Sequence, residues 1–275
     1  EGLRTIFGAE SSCVVCLASA LDSDTTIHLG HGIAHALKNS GHKTLLVDEF
    51  GLSQRRTMSG FLYPTRYDLA QAFNNGVDLM KAVRAIDDHF WYATATKVRS
   101  MNERHQIRLP TLDERLLNAG LSIDYILLPT NDPNANILSF YGKQIKRFVV
   151  SSTDHASLSR ALAMVREMAV LQSDESYPVL IIGGESEEEG QAAFQKLADA
   201  SQSALRQALH FAGWIKAFMA SRIVVDPEDN EIRENFSSTL LAIAEENMQC
   251  FLYEDARELL NEIIQKNNNN VSAMI

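Results

Sequence analysis

Apolar residues come in short, dense runs along this chain, among them Val14-Val15-Cys16-Leu17-Ala18, Leu45-Leu46-Val47, Ile126-Leu127-Leu128 and Val179-Leu180-Ile181-Ile182. Each run is too short for a helix and shows no polar alternation, the pattern of a strand covered on both faces. Between the runs lie longer stretches with helical spacing. The pattern predicts strands over 13–18, 43–48, 90–95, 124–128, 147–151, 179–182 and 210–215. It predicts helices from the end of a polar turn at 20–26 to about residue 39, then over 68–74, 77–85, 111–118, 137–144, 185–204 and 252–266. A further helix starts after Thr153 or Asp154, either of which can cap it, with Leu158, Leu162, Val165 and Ala169 on one face. The Arg-rich stretch 97–108, closed by Pro110, reads as a loop. Strands alternating with helices make the fold α/β, a doubly wound and mostly parallel sheet with helices on both faces.

The helix after the polar turn is amphipathic. Leu29, Ile33, Ala36 and Leu37 share one side, and His28, His31 and His35 share the other. Three imidazoles on one face could bind a metal or sense pH. No carboxylate or cysteine in that helix completes a ligand set, so a solvated or interface face is the expectation.

Charge and composition narrow the function. With 275 residues and 45% hydrophobic content the chain can bury a full core, and its net charge is −10. Dispersed basic residues argue against direct grip on nucleic acid, which needs a basic face. No apolar run reaches the roughly 18 residues of a membrane span, and no signal peptide is visible. The expected setting is cytoplasmic, with recruitment to a cell pole. Three cysteines fit a reducing compartment. Cys13 and Cys16 stand three apart in one strand and so point to opposite faces, which favours core cysteines over a redox pair or metal clip.

The order strand, polar turn, helix, strand ending in Asp48-Glu49 is that of a P-loop nucleotide-binding unit. Its turn nevertheless holds no glycine and no lysine, reading Ala20-Leu21-Asp22-Ser23-Asp24-Thr25-Thr26. A phosphate cradle needs glycines so that backbone N–H groups can converge on the anion, and a lysine to meet the β/γ-phosphates. Asp22 and Asp24 instead place negative charge there.

Several segments together resemble the MinD/ParA-type ATPases, and within them the FlhG/FleN group of flagellar number regulators. Gly41-His42-Lys43-Thr44-Leu45-Leu46-Val47-Asp48 is similar to that family's second strand, and Asp124-Tyr125-Ile126-Leu127-Leu128-Pro129 to its Walker B strand. The acidic helix running on to Ala208-Leu209-His210-Phe211-Ala212-Gly213-Trp214-Ile215 resembles an FlhG segment with an "L-x-x-x-G-x-I" strand. Glu1-Gly2-Leu3-Arg4 resembles the end of that group's N-terminal D-Q-A-x-x-L-R motif. The resemblance implies a MinD/SIMIBI-like P-loop fold with an added C-terminal helix.

It also marks a degenerate nucleotide pocket: Asp22, Ser23, Asp24, Thr25 and Thr26 replace the loop that carries two lysines in the family. Pro129 stands at the Walker B aspartate, and Gly183 at the asparagine that helps read adenine. Only Asp48 remains where a catalytic carboxylate would be, and an acid satisfied by local N–H groups at a strand end is the plainer reading. The expectation is a non-catalytic regulator with no cofactor and no metal.

Its partners, by resemblance, are an FlhF-like GTPase and a flagellar transcription activator. Residues 1–10, with Leu3, Arg4, Ile6 and Phe7, form the expected docking segment; 11–250 form the domain, and 251–275 an amphipathic helix and disordered tail. That helix carries more acids than bases, which argues against membrane association beyond a peripheral one. Monomer and homodimer both stay open. Two alternatives stand beside this reading: a divergent active ATPase holding Mg-ATP through Thr25, Thr26 and Asp48 with a lysine from elsewhere in the chain, and a regulator of another polar machine such as a pilus or exopolysaccharide system.

Overall fold

The apolar runs pair into one sheet. In the computed structural model, which describes residues 12–50, 63–101, 110–133, 135–142, 145–169 and 176–216, eight strands lie in the order β3-β4-β2-β5-β1-β6-β7-β8. They are β1 (Cys13–Ser19), β2 (Thr44–Asp48), β3 (Val83–Ala85), β4 (Phe90–Thr94), β5 (Tyr125–Thr130), β6 (Ile145–Ser152), β7 (Tyr177–Ile182) and β8 (Leu209–Ile215). All pairings are parallel except β3 with β4. The helices are α1 (Ser23–Asn39), α2 (Leu69–Phe73), α3 (Leu79–Ala82), α4 (Leu112–Asn118), α5 (Ala135–Leu138), α6 (His155–Ala169) and α7 (Glu187–Leu205).

Strand alternation sorts the core into two faces. Val14, Cys16, Val47, Ile126, Leu128, Val149 and Ile181 face the side packed by α2, α4, α6 and α7. Val15, Leu17, Leu46, Tyr92, Leu127, Val150 and Leu180 face the side packed by α1. The connection from β1 crosses β5 to reach β2, whereas that from β5 crosses β1 the opposite way to reach β6. Right-handed crossovers in opposite directions put α1 on one face and the later helices on the other. This reversal places the β1–α1 loop at the switch point, over the carboxyl ends of the strands, where open α/β sheets bind ligands.

Four expectations change. The polar turn is shorter than 20–26, because Asp22 caps α1 and residues from Ser23 are already helical. The helix expected over 77–85 splits into α3 and the three-residue strand β3, which pairs antiparallel with β4 through a tight turn. The helix expected over 137–144 is α5, ending at Leu138; beyond it Tyr141 is fully buried, and a Cβ on Gly142 would meet the Val14 side chain at 2.6 Å. Helix α6 buries Ser157, Ala161, Met164, Val165 and Met168, with Leu158 and Leu162 at the margin. Ser157 sets that rotation by accepting from Ser152 N at 2.9 Å, and Asp154, not Thr153, caps the helix by accepting from Ser157 N at 2.9 Å.

Among the described residues no helix is long and apolar enough to cross a membrane. The terminal segment with Leu3, Arg4, Ile6 and Phe7, and the helix expected over 252–266, lie outside the described residues.

Candidate functional site

The β1–α1 loop is closed by its own side chains. Ala20 N donates to Val150 O at 2.8 Å, which extends the β1–β6 ladder, and Leu21 N donates to Ser19 Oγ at 3.2 Å. At the start of α1 the Asp22 carboxylate accepts from Thr25 N at 3.0 Å and from Thr25 Oγ1 at 2.8 Å, while Thr26 N donates to Asp22 O at 2.9 Å. An anion at a helix N-terminus is stabilised by the orphan N–H groups and the helix dipole. Here the chain supplies that anion itself. Thr26 is buried, and its hydroxyl donates to Ser19 Oγ at 2.8 Å. The Asp24 carbonyl accepts from His28 Nδ1 at 2.6 Å.

A residue beyond the end of β5 holds the loop from the other side. Asn131 Nδ2 donates to Ser19 O at 2.6 Å and to Leu21 O at 2.9 Å. Two loop carbonyls therefore point at a side-chain amide.

The remaining expected positions lie along the same carboxyl edge of the sheet. Pro129 sits in β5 opposite Leu17, and α1 crosses it so closely that a Cβ on Gly30 would run into the Pro129 ring. Gly183 follows β7 with a φ of 96°, donates to Ile215 O at 2.8 Å and accepts from Trp214 Nε1 at 2.5 Å. Its place is thus in the β7–β8 joint. Asp48 is fully buried on the α1 side, where it accepts from Phe50 N at 2.9 Å and from the Tyr92 hydroxyl.

The next residue points the other way. Glu49, 5% exposed, meets Arg99 Nη2 at 2.6 Å and accepts from the Tyr141 hydroxyl at 2.9 Å. Burial pushes the Glu49 carboxyl up, and the Arg99 guanidinium pulls it back. Burial and the adjacent Glu49 charge push the Tyr141 phenol up as well. Arg99, from a 3-10 turn at Val98–Ser100, also reaches Asp132 Oδ2 at 2.6 Å, Thr130 Oγ1 at 2.5 Å and Asp132 O at 2.9 Å. By its sequence Arg99 belongs to a polar loop, and Glu49, Asn131, Asp132 and Tyr141 stand in no motif that marks them out. The acidic pair at the β2 end and the Thr130-Asn131-Asp132 run at the end of β5 are the available signals.

The histidine face of α1 is not simply solvated. His31 and His35 are half-buried with ring centroids 4.4 Å apart, and His31 Nε2 lies 2.9 Å from the Tyr63 hydroxyl. The His35 ring packs 5.1 Å from that of Phe90. Among the described residues no group of three or more His, Cys, Asp or Glu side chains could hold a metal ion.

Comparison of the whole fold identifies its type. No protein-family model matches the chain, and no curated protein matches it. Among solved structures, MinD cell division protein from Aquifex aeolicus matches with a TM-score of 0.55 at 17% identity, over 86% of this chain and 97% of that one. A McdA variant in complex with ATP from Cyanothece matches with a TM-score of 0.58 at 10% identity, over 86% and 96%. A plasmid partition protein from Borrelia burgdorferi matches with a TM-score of 0.55 at 14% identity, over 86% and 100%. The shared feature is the fold: the chain has the α/β architecture of the MinD and ParA-type structures.

Proposed function

We propose that this MinD/ParA-type fold works without nucleotide, as an FlhG-like regulator that acts by binding proteins and controls the number or placement of polar flagella. One observation carries the reading. The Asp22 carboxylate occupies the N-terminus of α1, the place a phosphate would need. Around it, Ala20 N and Leu21 N are spent on Val150 and Ser19, while the Ser19 and Leu21 carbonyls accept from Asn131. Mg-ATP does not fit that donor set: a second anion would be set against Asp22, with no lysine in the turn to offset it.

Pro129 brings no carboxylate to a metal-bound water, and Gly183 is engaged with Trp214 and Ile215. Electrostatic stabilisation supplies most of the catalysis available to phosphoryl transfer, and neither the turn at 20–26 nor Pro129 supplies a lysine or a metal-holding carboxylate for it. No cofactor belongs to the reading. The partners it implies are an FlhF-like GTPase, met through Leu3, Arg4, Ile6 and Phe7, and a flagellar transcription activator.

The test is calorimetric titration of the full chain with Mg-ATP, run beside titration with the FlhF-like GTPase. The expected outcome is a flat trace with nucleotide at millimolar concentration and saturable heat with the GTPase. A micromolar dissociation constant for Mg-ATP would overturn the nucleotide-free reading, and a flat trace with the GTPase would overturn that partner.

A further inference from the structure

Building on the nucleotide-free reading above, we propose that Arg99 is a built-in cation, holding the carboxyl ends of β2 and β5 and, through Asn131, the β1–α1 loop in one ligand-independent conformation. The guanidinium is surrounded by oxygen: Glu49 Oε2 at 2.6 Å, Asp132 Oδ2 at 2.6 Å, Thr130 Oγ1 at 2.5 Å and Asp132 O at 2.9 Å. Two carboxylates, a hydroxyl and a carbonyl are the donor types that a hard divalent cation takes. Here a planar fork takes them, with a fixed charge that cannot be lost.

The arrangement is built into the fold and not draped on its surface. The Glu49 side chain is 2% exposed, and a buried carboxylate needs a counter-charge and satisfied lone pairs; Arg99 gives the first, and Tyr141 completes the second. Glu49 follows β2, and Thr130 and Asp132 lie at the end of β5, the neighbour of β2 in the sheet. The 3-10 turn that carries Arg99 is anchored just beyond β4 by Val98 N donating to Ala95 O at 3.1 Å. One side chain therefore ties three strand ends together.

Asn131 carries the constraint onward. It lies between the two residues that Arg99 grips, and from there its amide donates to Ser19 O and Leu21 O. Asp132 N also donates to Thr130 Oγ1 at 3.1 Å, which tightens the turn around it. The loop that follows β1 is thereby held by a residue more than a hundred positions away in sequence. A fold whose ligand loop is held in this way presents one surface to its partners at all times, with no ligand needed to set it.

The experiment is hydrogen exchange by mass spectrometry on the full chain, on peptides covering residues 19–26 and 130–132, with and without millimolar Mg2+ or Ca2+. The parent protein should protect both peptides and show no response to the cations. Arg99→Met should raise exchange in both by about tenfold or more, the scale set by losing charge-assisted hydrogen bonds to a buried carboxylate. Added divalent cation should restore much of that protection by entering the Glu49, Thr130 and Asp132 oxygens.

Asn131→Ala should loosen residues 19–26 and leave 130–132 protected. If Arg99→Met fails to fold, Arg99→Lys decides: it keeps the charge, loses the fork, and should loosen both peptides without becoming cation-sensitive. The proposal is overturned if the Arg99 variants exchange like the parent, if Asn131→Ala leaves the loop unchanged, or if the parent itself is protected by Mg2+ alone. Protection of the parent by Mg-ATP over Mg2+ would sink the nucleotide-free reading instead, and the Arg99 comparison would still stand or fall by itself.

Discussion

Asp22 and Cys16 show how far a single residue's chemistry is set by its neighbours. Asp22 is an ordinary N-cap in local terms, worth about 1 kcal/mol to a helix. Its consequence comes from position, because the helix it caps begins at the switch point of the sheet. Cys16 is the converse case, a chemically capable group made inert. It is fully buried in β1, and burial first, then the nearby Glu49 charge, pushes its thiol up to about 12. Since the thiolate is the nucleophile, a disulfide-exchange reagent at mildly alkaline pH should leave Cys16 unmodified in the native protein and label it only after unfolding in denaturant. Peptide mapping by mass spectrometry reads this directly. Native-state labelling of Cys16 would show that β1 opens to solvent.

Elements are held by a few close approaches. Helix α1 can lie over β5 because Gly30 has no side chain: a Cβ there would collide with the Pro129 ring and come within 3.3 Å of Leu46 Cδ1. Gly30→Ala should gain up to about 1 kcal/mol in helix propensity. Overpacking costs about 1–3 kcal/mol, so the variant should be less stable overall. Urea unfolding measures the net effect, and Pro129→Ala in the same background should recover part of it as a positive coupling of about 1 kcal/mol.

Helix α6 offers a test by pH. Hydrogen bonds from the Ser152 hydroxyl and from Ser157 N hold the Asp154 carboxyl below its ordinary value. A depressed folded value means that Asp154 stabilises the protein above its unfolded pKa of about 3.9 and loses that contribution as pH falls through the folded value. Asp154→Asn keeps a competent cap and removes the titration. Its urea midpoint should therefore fall less steeply than the parent's below about pH 4, and parallel curves would remove Asp154 from the acid response.

For the whole molecule the controlling quantity is charge. A net charge of −10 sets the long-range field against polyanions. Fluorescence anisotropy with a labelled DNA duplex should show no binding at near-physiological salt, because the basic residues are dispersed along a chain of net charge −10 and offer little counterion release. Binding that weakens steeply with added salt would show a basic patch that the dispersed sequence conceals.

The architecture was legible in the sequence for a physical reason: a strand buried on both faces must be apolar at every position. Runs such as Leu45-Leu46-Val47 therefore announce themselves, and a turn without glycine or lysine announces what it lacks. Three-residue β3 carries too few positions to show a period, and α5 ends early because Tyr141 is drawn into the core. The partners of the polar groups were decided only by the tertiary structure. Glu49 meets Arg99 from 50 residues away and Tyr141 from 92, Asn131 reaches Ser19 across 112, and His31 reaches Tyr63 across 32. Hydrophobic burial depends on pattern along the chain and is written locally. Pairing of charges and hydrogen bonds depends on which strand ends the crossovers bring together, and no local stretch of sequence records that.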